Sequence, residues 1–197
     1  MLQELFLMIA EEHIKIPLAR IAIVIGKNGE TKQKIENLTQ TSIEIDSKEG
    51  IVHIVSIPDA ENPLAVWKAR DIIKAIGRGF SPERAFHLLY DDAYLEIIDL
   101  TTIFGRNNNT IKRIKGRIIG ETGKTRRLIE ELSGSVLSVF GNTISIIGSL
   151  DNFKTAKKAV MMLIDGISHN TVYRFLYKRR REIKKDRSNI WKTPPAQ

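Results

Sequence analysis

The chain contains no cysteine, and that absence excludes disulfides, thiolate nucleophiles and cysteine-ligated zinc together. Histidine is scarce: His13, His53, His87 and His169 are scattered with no metal-ligand spacing, so no metal site is expected. No run of about 18 apolar residues is present to cross a bilayer. The opening LQELFLMIAEEH is interrupted by Glu4 and lacks the basic flank of a signal peptide, so a cytoplasmic location without a membrane partner is expected. The acid pairs Glu11-Glu12 and Asp91-Asp92 read as surface. No constellation suggests catalysis or a cofactor, and the expectation is a protein that is not an enzyme.

What is present is enough apolar sequence for a core, 42% hydrophobic in 197 residues, and an uneven charge. Residues 1–80 carry 10 basic and 11 acidic side chains, and the remainder carry 21 and 12, so the net +8 belongs to the second half. Such a field favours a polyanion or an anionic membrane surface there, and raises solubility in either case.

The chain also contains itself twice. Gly26 and Gly120, Gly29 and Gly123, Thr31 and Thr125, Ile35 and Ile129, and Leu38 and Leu132 are each 94 residues apart. Further on the offset becomes 90, pairing Asn62 with Asn152, Lys68 with Lys158 and Ala69 with Ala159, which places the length difference in a hairpin loop. In the first copy, alternation predicts a strand over His13–Ile16, stopped by Pro17. Helical spacing predicts Leu18–Ile25 and Glu30–Thr39 on either side of Gly26-Lys27-Asn28-Gly29. Strands over Thr41–Asp46 and Ile51–Ile57 follow, and after Pro58 and Pro63 a helix over Leu64–Ile76 with Trp67, Ile72, Ile73 and Ile76 as core.

Ser81-Pro82-Glu83 opens a linker helix to about Leu89. The pattern then restarts: strand Tyr94–Leu100, an inserted segment Thr101–Thr110 with Asn107-Asn108-Asn109, helix Ile111–Ile119, the loop Gly120-Glu121-Thr122-Gly123, helix Lys124–Ser133, strands Val136–Phe140 and Thr143–Ile147, and helix Leu150–Ile164. A last helix, His169 to about Arg187, has a Val172, Phe175, Leu176, Ile183 stripe to dock and an Arg174, Lys178, Arg181, Lys185 stripe left charged. Tyr173 and Tyr177 are placed either to stack on bases or to pack against the adjacent domain. The expected domains are therefore residues 11–80 and 93–167, joined by a linker helix at 81–92 and followed by a basic helix at 168–191, with Trp191 at its end. Residues 192–197, including Thr193-Pro194-Pro195, form a flexible tail.

A Gly-x-x-Gly turn between two helices reverses the chain tightly and lets another backbone approach where a Cβ would intrude. The next helix turns its unpaired first-turn N–H groups and positive dipole end towards the loop, where a phosphodiester fits. Such a turn also serves as a plain connection, but two copies in one element order favour a binding loop. The sequence Gly120-Glu121-Thr122-Gly123-Lys124-Thr125 ends like a nucleotide-binding P-loop. That pattern needs glycine where Ile118 stands, and a strand where the sequence reads helical. The order β-α-α-β-β-α with a GXXG loop is that of the type I KH fold: α+β, each domain a three-stranded antiparallel sheet with helices on one face, holding single-stranded RNA by its backbone.

The copies differ in charge. Arg106, Lys112, Arg113, Lys115, Arg117, Lys124, Arg126 and Arg127 face only Glu121, whereas Arg20, Lys27, Lys32 and Lys34 face Glu30 and Glu36. The second copy is expected to bind through Arg113, Lys115, Arg117, Gly120, Glu121, Thr122, Gly123, Lys124, Arg126 and Arg127. The first, through Gly26, Lys27, Asn28 and Gly29, is expected to bind more weakly or act as a platform. Glu121 is repulsive to a phosphate unless it points away or meets a base amine. Lys178, Arg181 and Lys185 form a second phosphate contact, a protein-docking face or a solvated surface.

At Gly26-Lys27-Asn28-Gly29-Glu30-Thr31-Lys32, at Gly77-Arg78-Gly79-Phe80-Ser81-Pro82-Glu83-Arg84-Ala85 and at Lys112–Gly120, over about residues 11 to 187, the chain resembles archaeal tandem-KH proteins of pre-ribosomal RNA processing. These are related to the eukaryotic small-subunit assembly factor called partner of Nob. The resemblance implies binding near the 3′ end of small-subunit ribosomal RNA and assistance to the endonuclease that trims it, with that endonuclease or a translation initiation factor as protein partner.

Overall fold

Alternating burial along three short segments builds the first sheet. In the computed structural model, which describes residues 11–57, 62 and 65–190, with side chains to Lys185, β1 (Glu11–Lys15), β2 (Thr41–Asp46) and β3 (Ile51–Ser56) form an antiparallel sheet in the order β1-β3-β2. Pro58, Pro63, Leu64, the residues before Glu11, and Trp191 with the tail lie outside the described residues. Ile14, Ile43, Val52 and Ile54 point to one face and are buried there with residues of α1 (Leu18–Ile25), α2 (Glu30–Thr39) and α3 (Ala65–Gly77). The chain separates into two compact units between Leu95 and Glu96. Ser81 precedes α4 (Pro82–Ala85), and Phe86–Leu89 continues as a 3-10 turn, so the expected single linker helix is two short pieces.

The second unit repeats the plan with β4 (Ala93–Asp99), β5 (Val136–Phe140) and β6 (Thr143–Ser149) in the order β4-β6-β5. Its helices are α5 (Leu100–Phe104), α6 (Asn108–Ile119), α7 (Lys124–Ser133), α8 (Leu150–Ile164) and α9 (His169–Ile190). Ile111, Ile114 and Ile118 from α6, Ile129 and Leu132 from α7, and Val172 and Leu176 from α9 share one core.

Four expectations change. The first strand includes Glu11 and Glu12 ahead of His13, because they pair with Val55 and Ile54 of β3, and Arg70 on α3 reaches Glu12 at 3.0 Å. Glu12 is thus half-buried in an ion pair instead of lying free on the surface. Glu11 meets histidines: His13 and His53 donate to its carboxylate, and those hydrogen bonds hold it below the usual carboxylate range. Trp67, expected in the core, is 48% exposed, while Ile72, Ile73 and Ile76 are buried as expected. Leu100 leaves the strand: Asp99 caps the start of α5, accepting from the Thr101 amide at 2.8 Å, and the inserted segment is helical over most of its length.

Within the insertion Asn107 caps α6, its side-chain oxygen accepting from the Thr110 amide at 3.1 Å. Asn107→Ala removes that partner and is expected to cost about 1 kcal/mol, read as a lower urea midpoint with an unchanged slope.

The duplication extends to polar detail. Glu36 on α2 accepts from the Ile43 amide at 2.8 Å, and Glu130 on α7 accepts from the Leu137 amide at 2.7 Å. Thr39 Oγ1 donates to the Ile35 carbonyl and Ser133 Oγ to the Ile129 carbonyl, each at 2.7 Å. Both pairs keep the 94-residue offset, so in each unit the helix after the glycine loop is strapped to the same strand by a carboxylate.

Candidate nucleic-acid interface

The two glycine loops have one backbone conformation. Gly26 and Gly120 lie at φ 77°, ψ 177° and φ 71°, ψ 176°. Asn28 and Thr122 follow at φ 52° and 49°, and Gly29 and Gly123 at φ 84° and 80°. Positive φ is tolerated by asparagine but is an outlier for a β-branched threonine. Thr122 adopts it nonetheless, donating through Oγ1 to the Glu121 carbonyl at 2.8 Å, while Arg127 Nη2 donates to the Thr122 carbonyl at 3.0 Å. Backbone held in such a region in both copies marks the loop as a place where geometry is selected over local ease.

Why the corners are glycine follows from what surrounds them. A Cβ on Gly26 would lie 2.7 Å from the Thr31 amide nitrogen, and one on Gly120 would lie 2.8 Å from that of Thr125. Gly29 and Gly123 face open space, so their requirement is conformational rather than steric. Gly123 is also the residue from which α7 begins, so the first-turn amides and positive end of that helix sit at the loop.

Beside the second loop is a cleft lined by Arg113, Gly116 and Arg117 of α6, Gly120 and Glu121 of the loop, Lys124 and Thr125 of α7, and His169 and Tyr173 of α9. The last helix forms one wall of this cleft. Tyr173 Oη and Thr125 Oγ1 share a hydrogen bond of 2.9 Å, and His169 Nε2 donates to the Arg117 carbonyl at 2.9 Å. Thr125 is buried, so the tyrosine is anchored at a fixed point next to Gly120.

The expected binding residues separate by environment. Arg113 and Lys124 are exposed at the cleft, and Glu121, also exposed, lines it with them. Arg117 also lines it, but its guanidinium donates to the Leu163 and Ile167 carbonyls at 3.2 and 2.6 Å. Its first task is to hold α6 against the end of α8. Arg20 does the same in the first unit, donating to the Ile76 and Phe80 carbonyls at 2.8 and 2.6 Å. Lys115 reaches away to the Gly141 carbonyl in the β5–β6 turn at 2.8 Å. Arg126 is half-buried, with its Nε shielded and without an acceptor, and Arg127 folds back onto the loop as described.

In the first unit Lys27 and Asn28 stand exposed at the loop. Lys32 is 3.5 Å from Glu36, and Lys34 lies 4.6 Å from the centre of the Phe86 ring. On the second unit Lys178 joins Arg179 of α9 and Lys154 and Lys158 of α8 in another cleft around Phe175, while Arg181 and Lys185 are exposed elsewhere on α9. Tyr177 is exposed. Gly116, Thr125 and His169 line the cleft without having been among the expected binding residues, and His169 is the one the sequence reading gave no place at all. Its four-residue spacing from Tyr173, which puts both on one helix face, is the signal that could have found it.

Comparison with known proteins gives a consistent picture. Residues 11–75 match the KH domain model, and residues 94–181 match the model of the eukaryotic type KH-domain (KH-domain type I). The chain is 46% identical over 181 residues to a KH domain-containing protein of Methanocaldococcus jannaschii, covering 92% of this chain and 79% of that protein. It is 30% identical to the pre-rRNA-processing protein pno1 of Schizosaccharomyces pombe, covering 66% of this chain and 55% of the relative, so it spans little more than half of the yeast protein. A chain in the crystal structure of the a/eIF2alpha-aDim2p-rRNA complex from Pyrococcus horikoshii OT3 superposes with a TM-score of 0.85 at 50% identity, covering 91% of this chain and 99% of that one. Among the described residues, no helix is long and apolar enough to cross a membrane.

Proposed function

We propose that this chain, which belongs to the PNO1/Dim2 family of tandem KH-domain proteins, is a non-catalytic single-stranded RNA-binding protein of small-subunit ribosomal RNA 3′-end processing and ribosome assembly. The observation that carries the reading is the second glycine loop. It is held in a left-handed conformation at the start of α7, with Arg113 and Lys124 exposed beside it. A phosphodiester seated on the loop meets backbone amides and a helix dipole first, and side-chain cations second. The names of its relatives support ribosomal RNA as the strand: one is called a pre-rRNA-processing protein, and another was crystallised with rRNA.

The second copy is the principal binder and the first the weaker one, because Lys27 is exposed at a loop whose neighbouring cations are engaged with Glu36, Phe86 and backbone carbonyls. The exposed cations Lys178, Arg181 and Lys185 serve a further contact with RNA or with a protein, either the processing endonuclease or a translation initiation factor. The presence of a/eIF2alpha in the complex of the Pyrococcus relative favours the latter. The boundaries that go with this reading are domains at 11–80 and 93–167, with a linker between them and a basic helix after them.

A backbone clamp of this kind depends on salt. For about four clamped nucleotides, the logarithm of the association constant is expected to fall against the logarithm of salt concentration with a slope of about −3. Fluorescence anisotropy with a labelled single strand reads the slope. Binding indifferent to salt overturns the electrostatic clamp. Crosslinking to total cellular RNA, with the contacted positions mapped, tests the ribosomal assignment; accumulation only on messenger leaders overturns it.

A further inference from the structure

The first sheet has a second face, turned away from its helices, and its chemistry differs from that of the loops. The alternation of β1 puts Glu11 and His13 on that face while Glu12 and Ile14 turn inward. On the central strand, His53 stands directly opposite His13 in the antiparallel register, which brings their side chains to one spot. The two imidazoles are stacked, with ring centroids 4.2 Å apart and planes 4° from parallel. Both Nε2 atoms converge on one carboxylate oxygen, Glu11 Oε1, at 2.7 and 2.6 Å. The three potential ligand atoms all lie within 4.8 Å of one another. Glu44 of β2 is paired with His53 from the other side and adds negative charge to the same face.

From this convergence we propose that Glu11, His13 and His53 form a binding site for a divalent transition-metal ion of the zinc class, bridging β1 and β3. Two imidazoles and one carboxylate match the nitrogen-and-oxygen donor sets zinc accepts, with the fourth tetrahedral position left to water. Calcium and magnesium prefer all-oxygen sets and are not expected there. Zinc–ligand bonds of about 2.0–2.2 Å require Glu11 Oε1 to draw back from each nitrogen by some tenths of an ångström and the two nearly parallel rings to tilt until both nitrogens aim at the ion. Side chains that are half-exposed on a sheet surface can do this without repacking. Each ring then coordinates through Nε2 with its proton on Nδ1. The ion would tie the edge strand to the central one, on the sheet face opposite the first loop and its helices, and outside the charged half of the chain. The site is independent of the RNA reading.

Zinc binding by the untagged full chain, measured by competition with a chromogenic chelator, tests the proposal. One equivalent is expected to bind with a micromolar or tighter dissociation constant. His13→Asn and His53→Asn should each weaken it at least tenfold, and His87→Asn, on an exposed histidine of the 3-10 turn, should not. Zinc should also slow amide exchange in β1 and β3, and calcium at equal concentration should not. Circular dichroism establishes that the variants fold. Should either strand histidine variant fail to fold, Glu11→Gln, which keeps the side chain's shape and removes its charge, takes its place and should weaken binding similarly. The site is disproved if the wild type holds zinc no tighter than the substituted chains, or if His87→Asn loses as much as they do.

Discussion

Gly123→Asp is expected to lower affinity for single-stranded RNA by about a hundredfold while leaving the second unit folded. The reasoning separates the two effects. A Cβ at Gly123 meets nothing within 4 Å, so no neighbour has to move. The left-handed φ of 80° costs an L-residue about 1–2 kcal/mol. Aspartate is among the residues that tolerate it, and a carboxylate at the start of α7 recovers part of the cost through the helix dipole. For RNA the same carboxylate stands where a phosphate should sit. Like charges in close juxtaposition cost several kcal/mol, and about 2.7 kcal/mol is a hundredfold. Anisotropy at fixed salt gives the affinity, and a thermal melt shows that the fold persists. Gly29→Asp places the same charge at the same backbone angle in the first unit and is expected to cost much less. Equal losses would overturn the ranking of the two copies.

Gly120→Ala is expected to do the reverse, breaking structure first. Its φ of 71° with ψ of 176° lies in a region that only glycine occupies readily. Alanine's methyl group would sit 2.8 Å from the Thr125 amide nitrogen and closer still to its hydroxyl. Thr125 cannot give way easily, being buried and hydrogen-bonded to Tyr173. Backbone strain and overpacking together are worth about 3–5 kcal/mol. For a unit of this size that lowers Tm by on the order of 15 °C or more. Differential scanning calorimetry of the full chain should show one transition displaced and the other in place. Gly123→Ala, by contrast, should shift the same transition by only a few degrees, because it carries strain without a clash. A small shift for Gly120→Ala would show that the Thr125 contact yields.

Much of this was legible in the sequence because a repeat supplies its own control. One glycine loop is ambiguous, but Gly26 with Gly29 and Gly120 with Gly123, each followed by threonine, isoleucine and leucine at matching distances, restrict the reading to a fold that can occur twice. Periodicity located the helices for the same physical reason that they bury one face. It failed at Trp67, where an aromatic at helical spacing lies on the half-open side of α3, and at Leu100, where a capping aspartate turned the end of a strand into the start of a helix.

The site was only partly legible, because a list of cations does not say where each reaches. Arg113 and Arg117 are equivalent in composition. One is exposed, while the other is fixed to the carbonyls of Leu163 and Ile167, some fifty residues away in sequence. His169 was invisible for a similar reason, since its place in the cleft is created by the docking of α9. His13 and His53 are forty residues apart and look scattered until strand register sets them side by side. Local pattern predicts elements; which side chains meet depends on how those elements are registered and docked.

The strained left-handed residue in each loop carries a consequence for timing. Asn28 and Thr122 hold a left-handed backbone, with Arg127 bracing the second loop and a carboxylate strap fixing each following helix to its sheet. If the loops are the clamp proposed above, a strand is expected to bind them without rearrangement of the protein, so that arrival follows long-range attraction to the basic half of the chain and residence follows the few contacts at the loop itself. Distant surface charges should set how often RNA is captured, and the four loop residues how long it stays.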